Sequence, residues 1–335
     1  MHHKRLDDQH LLTKVMDIKA MGDSVFYTCL LSHLQNHMIH PSKIEHLRSS
    51  VYLIHCNNRL FIIKGFDSNQ TLNNQKELTQ RLKKNGFIHT YSFIEDLPTF
   101  EYDGQVFGAI EYIQPSSDRF HFGSEKNRIE GLTVLHTFHN STGLNLTNNL
   151  SHFNQIVKWE ERLRIFCKYQ PIIGEYVAES ILSSWINWAK WALVGMKQHE
   201  TELMAEKKVI IHGDCAHHNF LRKQDGELAL LDFDLIAYAP PFIDYLQYCS
   251  RILPYLVDPA KELWFYPEIA TYKENKAFLY ALTYPTDILR EWNRLCKNHL
   301  SHHSAQLHRI WKMTIEQFAK RMKFNEEIAG MIESL

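Results

Sequence analysis

The run Val209-Ile210-Ile211-His212-Gly213-Asp214-Cys215-Ala216-His217-His218-Asn219 joins an apolar, β-branched stretch to a short loop that carries an aspartate and then an asparagine. An aspartate on the exit of a strand can accept a proton from an incoming hydroxyl. A second hairpin pattern turns at Asp225-Gly226 and ends in Leu230-Leu231-Asp232-Phe233-Asp234. Asn219 and Asp232 thus supply hard oxygen donors of the kind Mg²⁺ takes alongside waters and phosphate oxygens. A proton acceptor, a metal site and a balancing cation together are what phosphoryl transfer requires. Lys64, closing Phe61-Ile62-Ile63-Lys64, is the available cation. Glu77 is the only acid in the helical pattern that follows, which makes it the expected partner of that lysine.

These residues need elements to hold them. Val51–Cys56 alternates as a strand, Asn57-Asn58 is turn chemistry, and Arg59–Lys64 resumes the strand. A helical pattern from Leu72 to Lys84 stops at Asn85-Gly86. A further strand pair is expected over Ile88–Ile94 and Phe100–Tyr112, turning at Asp103-Gly104. The first forty residues read as helical, with Leu11, Leu12, Val15 and Ile18 on one stripe and Leu30, Leu31 and Leu34 on another. After Gln114-Pro115-Ser116-Ser117, helical patterns fill roughly 126–140, 151–169 and 176–204, and a β interruption falls at 208–234. The natural cut lies near residue 113. Residues 1–113 hold a helical segment and a small sheet crossed by one helix, and 114–335 are mainly helical, so the class is α+β.

His212-Gly213-Asp214 with Asn219, followed by Asp232-Phe233-Asp234, resembles the Brenner-type motif of the aminoglycoside phosphotransferase and choline kinase superfamily. The loop HGDCAHHN, with paired histidines before the asparagine, is similar to the spore-coat, CotS-like branch. The likeness runs from the Lys64 strand through the Glu77 and Phe138-His139 helices to Asp244, and is strongest over 209–248. It implies a two-lobed protein-kinase-like fold that uses ATP and Mg²⁺. By that resemblance Asp214 is the catalytic base, Asn219 and Asp232 are metal ligands, and Lys64 binds the α/β-phosphates with Glu77 orienting it. Backbone groups around Glu111–Ile113 become the hinge for adenine, and His212 and Asp244 brace the loop. A hydroxyl acceptor and other spore-coat proteins are the implied partners.

One departure stands out. Kinases cover the phosphates with a glycine-rich loop whose bare backbone approaches closely. The equivalent stretch here, Pro41–Cys56, has no glycine, leaving Ser49 and Ser50 as donors. Two readings therefore stay open: an active phosphotransferase, or a catalytically weak or inactive pseudokinase serving spore-coat assembly. An aminoglycoside acceptor would call for a carboxylate-rich cleft, yet Asp258–Leu335 has ten acids against eleven Lys/Arg and no acidic cluster. A choline-like acceptor would need an aromatic cage, for which Trp264, Tyr266, Trp292 and Trp311 are the candidates.

Composition sets the outer bounds. With 37 Lys+Arg against 38 Asp+Glu the formal charge is −1, which argues against a nucleic-acid binder. Hydrophobic residues at 44% and aromatics at 12% favour collapse over disorder. With an ordinary pKa of about 6.5, about three quarters of the 21 histidines are charged near pH 6, a pH-sensitive surface. The cysteines at 29, 56, 167, 215, 249 and 296 form no CxxC pair, which points to free thiols. Met1–Met16 lacks a secretory h-region and no apolar run reaches about 18 residues, so a cytoplasmic product without a membrane span is expected. His217-His218, His136 with His139, and His302-His303 lack a Cys or carboxylate at ligand spacing and read as structural. Trp185, Trp188 and Trp191 read as a core stripe, Cys215 as an inert thiol, and Asp234 as a metal ligand or a loop acid.

Overall fold

Alternating β-branched and aromatic residues build an antiparallel sheet at the start of the chain. In the computed structural model, which describes residues 14–16, 25–57, 59–142, 150–151, 153–298 and 304–335, this sheet has six strands. They are β1 (Lys14–Met16), β2 (Lys43–Arg48), β3 (Val51–Cys56), β4 (Arg59–Phe66), β5 (Phe100–Tyr102) and β6 (Gln105–Glu111), in the order β1-β2-β3-β4-β6-β5. The β5–β6 turn is Asp103-Gly104, with φ of 47° and 74°, the double left-handed geometry that lets a two-residue hairpin follow strand twist.

Helix α1 (Val25–Asn36) buries Phe26, Leu30 and Leu34 against Phe61 and Ile63 of β4. Helix α2 (Asn69–Lys84), capped by the Ser68 hydroxyl, brings Leu72 to Phe66 and Val106. Because side chains alternate along a strand, Lys64 shares a face with Phe66 and not with Phe61 and Ile63. β4 is thus buried on both sides, and Lys64, 6% exposed, lies within it.

Three expectations change here. The sheet carries α1 as well as the single crossing helix that was expected. Of the first helical stripe, Val15 lies in β1, paired antiparallel with β2, while Leu11, Leu12 and Ile18 lie outside the described residues, as do Asn58 and His302-His303. Ile88–Ile94 is no strand: its contact with the ladder is one bridge, Phe93 to Ile110, and the His89 carbonyl accepts from Leu230 N at 2.7 Å.

The chain after Arg119 is mainly helical: α3 (Glu125–Ser141), α4 (Gln155–Ile173), α5 (Glu179–Gln198) and α6 (Glu200–Met204). The β interruption holds β7 (Val209–Ile211), β8 (Phe220–Arg222), β9 (Leu228–Leu230) and β10 (Ala237–Ala239). Then come α7 (Phe242–Ile252), α8 (Pro259–Glu262), α9 (Pro267–Ala270), α10 (Lys276–Leu282), α11 (Thr286–Lys297), α12 (Ser304–Glu316) and α13 (Phe318–Ser334). Trp185 is wholly buried on α5, whereas Trp188 and Trp191 are half-buried and meet edge to face. Trp159 of α4 stacks on Tyr284 at 4.1 Å, and the Tyr284 hydroxyl donates to the Trp159 carbonyl.

Two compact units result, and they are not simply the two sequence halves. The first, which contains the six-stranded sheet, also takes in Leu221–Asp234, while the second is the helical remainder. All six cysteines are free thiols. Among the described residues no helix is long and apolar enough to cross a membrane.

Candidate active site

In the first unit, the buried Lys64 is the centre of an ionic network that reaches the surface. Its ammonium group donates to Asp232 Oδ1 at 2.9 Å and to Asp234 Oδ1 at 2.7 Å. Arg48, at the end of β2, donates to Asp232 Oδ2 at 2.6 Å. Burial works against the Asp232 charge, but Lys64 and Arg48 outweigh it and hold this carboxyl far below its ordinary range. Asp234 is pushed the other way, by burial and by the charge of Asp232 beside it. Asp232 also sits at φ 69°, a left-handed conformation that aspartate tolerates better than most residues but that still marks a constrained site.

Glu77 does not hold Lys64. Its carboxylate pairs with Arg81, one turn along the same helix. The residue of α2 that reaches the network is Gln75, which donates to Asp234 Oδ1 at 2.7 Å and accepts from the Tyr91 hydroxyl at 2.9 Å. The reason is angular. At 3.6 residues per turn, two positions are separated by about 200°, so Gln75 and Glu77 cannot face the same neighbour. Leu72, Gln75, Leu78, Thr79 and Leu82 are the buried positions of α2. A glutamine in that apolar stripe was the available signal for Gln75. No sequence signal singled out Arg48 or Tyr91.

Ser49 and Ser50 form the two-residue β2–β3 turn, since Arg48 and Val51 are cross-strand partners. Ser49 has φ 38° and its carbonyl accepts from His46 Nε2. The Ser50 hydroxyl donates to Gln105 Oε1 at 2.6 Å, and its carbonyl accepts from Gly65 N at 2.8 Å. A Cβ on Gly65 would stand 2.7 Å from Ser50 Cβ, so the glycine that lets this turn pack closely is on β4 and not in the turn. At the other end of the sheet, Glu111 closes β6, accepts from Ser92 N at 3.2 Å and lies 3.6 Å from Lys83. Tyr112 and Ile113 continue outside the ladder.

In the second unit, β7 pairs antiparallel with β10 and delivers His212-Gly213-Asp214. Asp244, wholly buried on α7, accepts from His212 N at 2.7 Å, Gly213 N at 2.9 Å and His139 Nε2 at 2.8 Å. Burial opposes its charge, but these donors keep its pKa lowered. His212 Nδ1 in turn accepts from Asp214 N at 3.3 Å. Gly213 has φ 80°, and a Cβ there would lie 2.2 Å from the Leu235 carbonyl oxygen. Only glycine fits. Asn219 donates through Nδ2 to the Asp214 carbonyl at 2.9 Å, and Arg251 Nη2 lies 3.6 Å from Asp214 Oδ1.

Asn219 Oδ1 is buried and has no hydrogen-bond partner among the described residues. Such an atom is costly unless something else satisfies it. Asn219 Oδ1 and the ionised Asp232 carboxylate are each hard oxygen donors, the chemistry Mg²⁺ selects. Among the described residues no three His, Cys, Asp or Glu gather as a metal cluster. The Cys215 thiol is pushed well up, by burial first and then by Asp244 and Asp214, so it is no nucleophile.

A cavity of about 660 Å³ opens beside Asp214 within the second unit. Phe122, Trp159 and Tyr255 are its aromatic wall. Trp264, Tyr266, Trp292 and Trp311 do not line it. Trp292 is buried with its indole N–H on Thr314, and the Tyr266 hydroxyl accepts from Arg128 Nε at 2.6 Å.

The fold these elements make is protein-kinase-like. Residues 130–278, which span His139, Asp214, Asn219, Asp232 and Asp244, match the model of the phosphotransferase enzyme family APH. An aminoglycoside phosphotransferase from Alicyclobacillus acidocaldarius is similar in structure, with TM-score 0.66, 16% identity, and coverage of 87% of this chain and 92% of that one. The amicoumacin kinase hAmiN, in complex with AMP-PNP, Ca²⁺ and Ami, gives TM-score 0.57 at 14% identity, covering 93% and 96%. Spectinomycin phosphotransferase APH(9)-Ia, with ADP and spectinomycin bound, gives 0.55 at 13%, covering 92% and 98%. No curated protein matches the sequence.

Proposed function

We propose that the chain is a phosphotransferase that moves the γ-phosphate of ATP to a hydroxyl acceptor with the help of Mg²⁺. The observation that carries this reading is the pair of buried Lys64 with half-buried Asp232, which joins residues 168 apart in sequence. Lys64 takes the α/β-phosphates, and the backbone about Glu111–Ile113 takes adenine. Ser49 and Ser50 lie over the phosphates. Asn219 and Asp232 hold the metal, whose chemistry when bound is to offset phosphate charge. The Asp214 carboxylate accepts the acceptor's proton as its oxygen bonds to phosphorus and the bond to the ADP oxygen breaks. Glu77 has no part in this. Thermal stabilisation of the purified protein by ATP and Mg²⁺, abolished by Asp232→Ala, is the expected result. No response at millimolar nucleotide would sink the reading.

A second reading has its own support. The serine turn spends the Ser50 hydroxyl on Gln105 and the Ser49 carbonyl on His46, and Arg48 closes on Asp232. A site so self-paired suits a weak or inactive kinase acting in spore-coat assembly, as the CotS-like loop suggests, and made in the cytoplasm. If Asp214→Asn restores spore assembly in a deletion strain as well as wild type, catalysis is dispensable there.

A further inference from the structure

We infer that the cavity beside Asp214 binds a small hydroxyl compound that carries several negative charges, as phosphate or carboxylate. The inference rests on the phosphotransferase reading for the word acceptor, and on the cavity's own chemistry for the rest. Six cationic side chains line it: Lys158 and Arg162 from α4, Arg251 from α7, Arg290 and Arg294 from α11, and Arg309 from α12. Three acids share the wall: Asp214, Asp287 and Glu291.

Pairing decides which sign is free. Each acid already faces a cation: Asp214 has Arg251 at 3.6 Å, Glu291 has Arg290 at 2.9 Å, and Asp287 has the buried Arg321 at 4.0 Å. By contrast Lys158, Arg294 and Arg309 meet no carboxylate within ion-pair distance among the described residues. Lys158 instead lies over the Phe153 ring at 4.6 Å. Lys158, Arg162 and Arg251 are all pushed below their ordinary pKa by burial, and further by neighbouring cations that include Arg290. Six cations thus share the wall with only three acids, an excess of like charge that an anion relieves and a polycation worsens. Guanidinium groups bind carboxylate and phosphate bidentately. At about 660 Å³ the cavity has the size of a small-molecule site, not of an extended peptide groove.

Titration of the full chain with citrate, a glycerol phosphate, kanamycin and a polyglutamate peptide tests this, without metal. Citrate or the glycerol phosphate should bind, more weakly as salt rises, and kanamycin should not. The tighter of the two anions identifies the charge type. Arg294→Gln with Arg309→Gln, both on exposed side chains, should weaken anion binding roughly tenfold or more while leaving stabilisation by MgATP unchanged. Binding of kanamycin, of polyglutamate but neither small anion, or of anions indifferent to the arginine changes would overturn the inference. Wild-type protein that binds citrate but never MgATP would keep the anion site and remove the phosphotransferase reading instead.

Discussion

Gln75 donates to the same Asp234 oxygen that Lys64 reaches, at 2.7 Å in both cases. An uncharged amide therefore stands where a carboxylate was expected, and among the described residues Asp232 and Asp234 answer the lysine's charge. Gln75→Ala should lower stability by about 1–3 kcal/mol, because it strips a partner from the buried Tyr91 hydroxyl and from Asp234. Glu77→Ala removes only a one-turn surface pair and should stay within about 0.5 kcal/mol. Urea unfolding separates the two. The reverse order of effects would refute the placement of these side chains.

Asp232 makes stability depend on acid in a stated direction. Its carboxyl is depressed in the folded protein, so the stabilisation is complete above the unfolded value of about 3.9 and fades as pH falls through the folded one. Asp232→Asn should be less stable than wild type at neutral pH, with the gap closing below about pH 4. Asparagine also accepts left-handed backbone, so the φ of 69° adds little strain and charge is what the comparison reads. Asp234, whose pKa is raised, gives the opposite sign: its ionisation disfavours the fold as pH rises, and Asp234→Asn should cost less at neutral pH. A pH-independent gap for Asp232→Asn, followed by denaturant melts, would contradict this.

Gly213→Ala should damage the loop more than most single methyl additions. The left-handed φ of 80° and the Leu235 carbonyl at 2.2 Å from the added carbon act together. Left-handed strain alone costs roughly 1–3 kcal/mol for such a residue, and the clash adds to it. Asp244→Ala should be similar in scale, since it orphans the backbone N–H of His212 and Gly213 and leaves His139 unpaired. A wild-type melting temperature in either variant would argue against this bracing.

What could be read in the residues, and what could not, follows from the range of the forces. Asp103-Gly104, Asn85-Gly86 and the Ser68 cap act within a few residues, so the β5–β6 hairpin and α2 are legible, as is the burial of Trp185 on its helical stripe. The Lys64 partner is not. Charge complementarity suggests Glu77, but the helical phase turns Gln75 inward, and only packing reveals which phase wins. Ile88–Ile94 has strand composition yet divides its bonds between the end of β6, at Ala109 and Glu111, and Leu230, a choice made by distant segments. The cationic cavity is hidden for a similar reason: its charges come from α4, α7, α11 and α12, within a chain whose formal charge is −1.

Asn219 offers the sharpest test of the metal site. Its Nδ2 holds the Asp214 carbonyl, while Oδ1 is buried and unpaired among the described residues. Asn219→Ala therefore loses one internal hydrogen bond, about 1 kcal/mol of stability, and relieves an unsatisfied oxygen at the same time. Its effect on folding should be small. If the free oxygen is a Mg²⁺ ligand, the Mg²⁺ concentration needed for half-maximal stabilisation by ATP should rise at least about tenfold, as loss of one ligand oxygen from a weakly held hard cation predicts. Asn219→Asp, which keeps an oxygen in place and adds charge, should restore Mg²⁺ dependence more nearly than alanine does. Unchanged Mg²⁺ dependence in Asn219→Ala, with stability intact, would remove Oδ1 from the metal site and leave it as a cost the loop carries for another purpose.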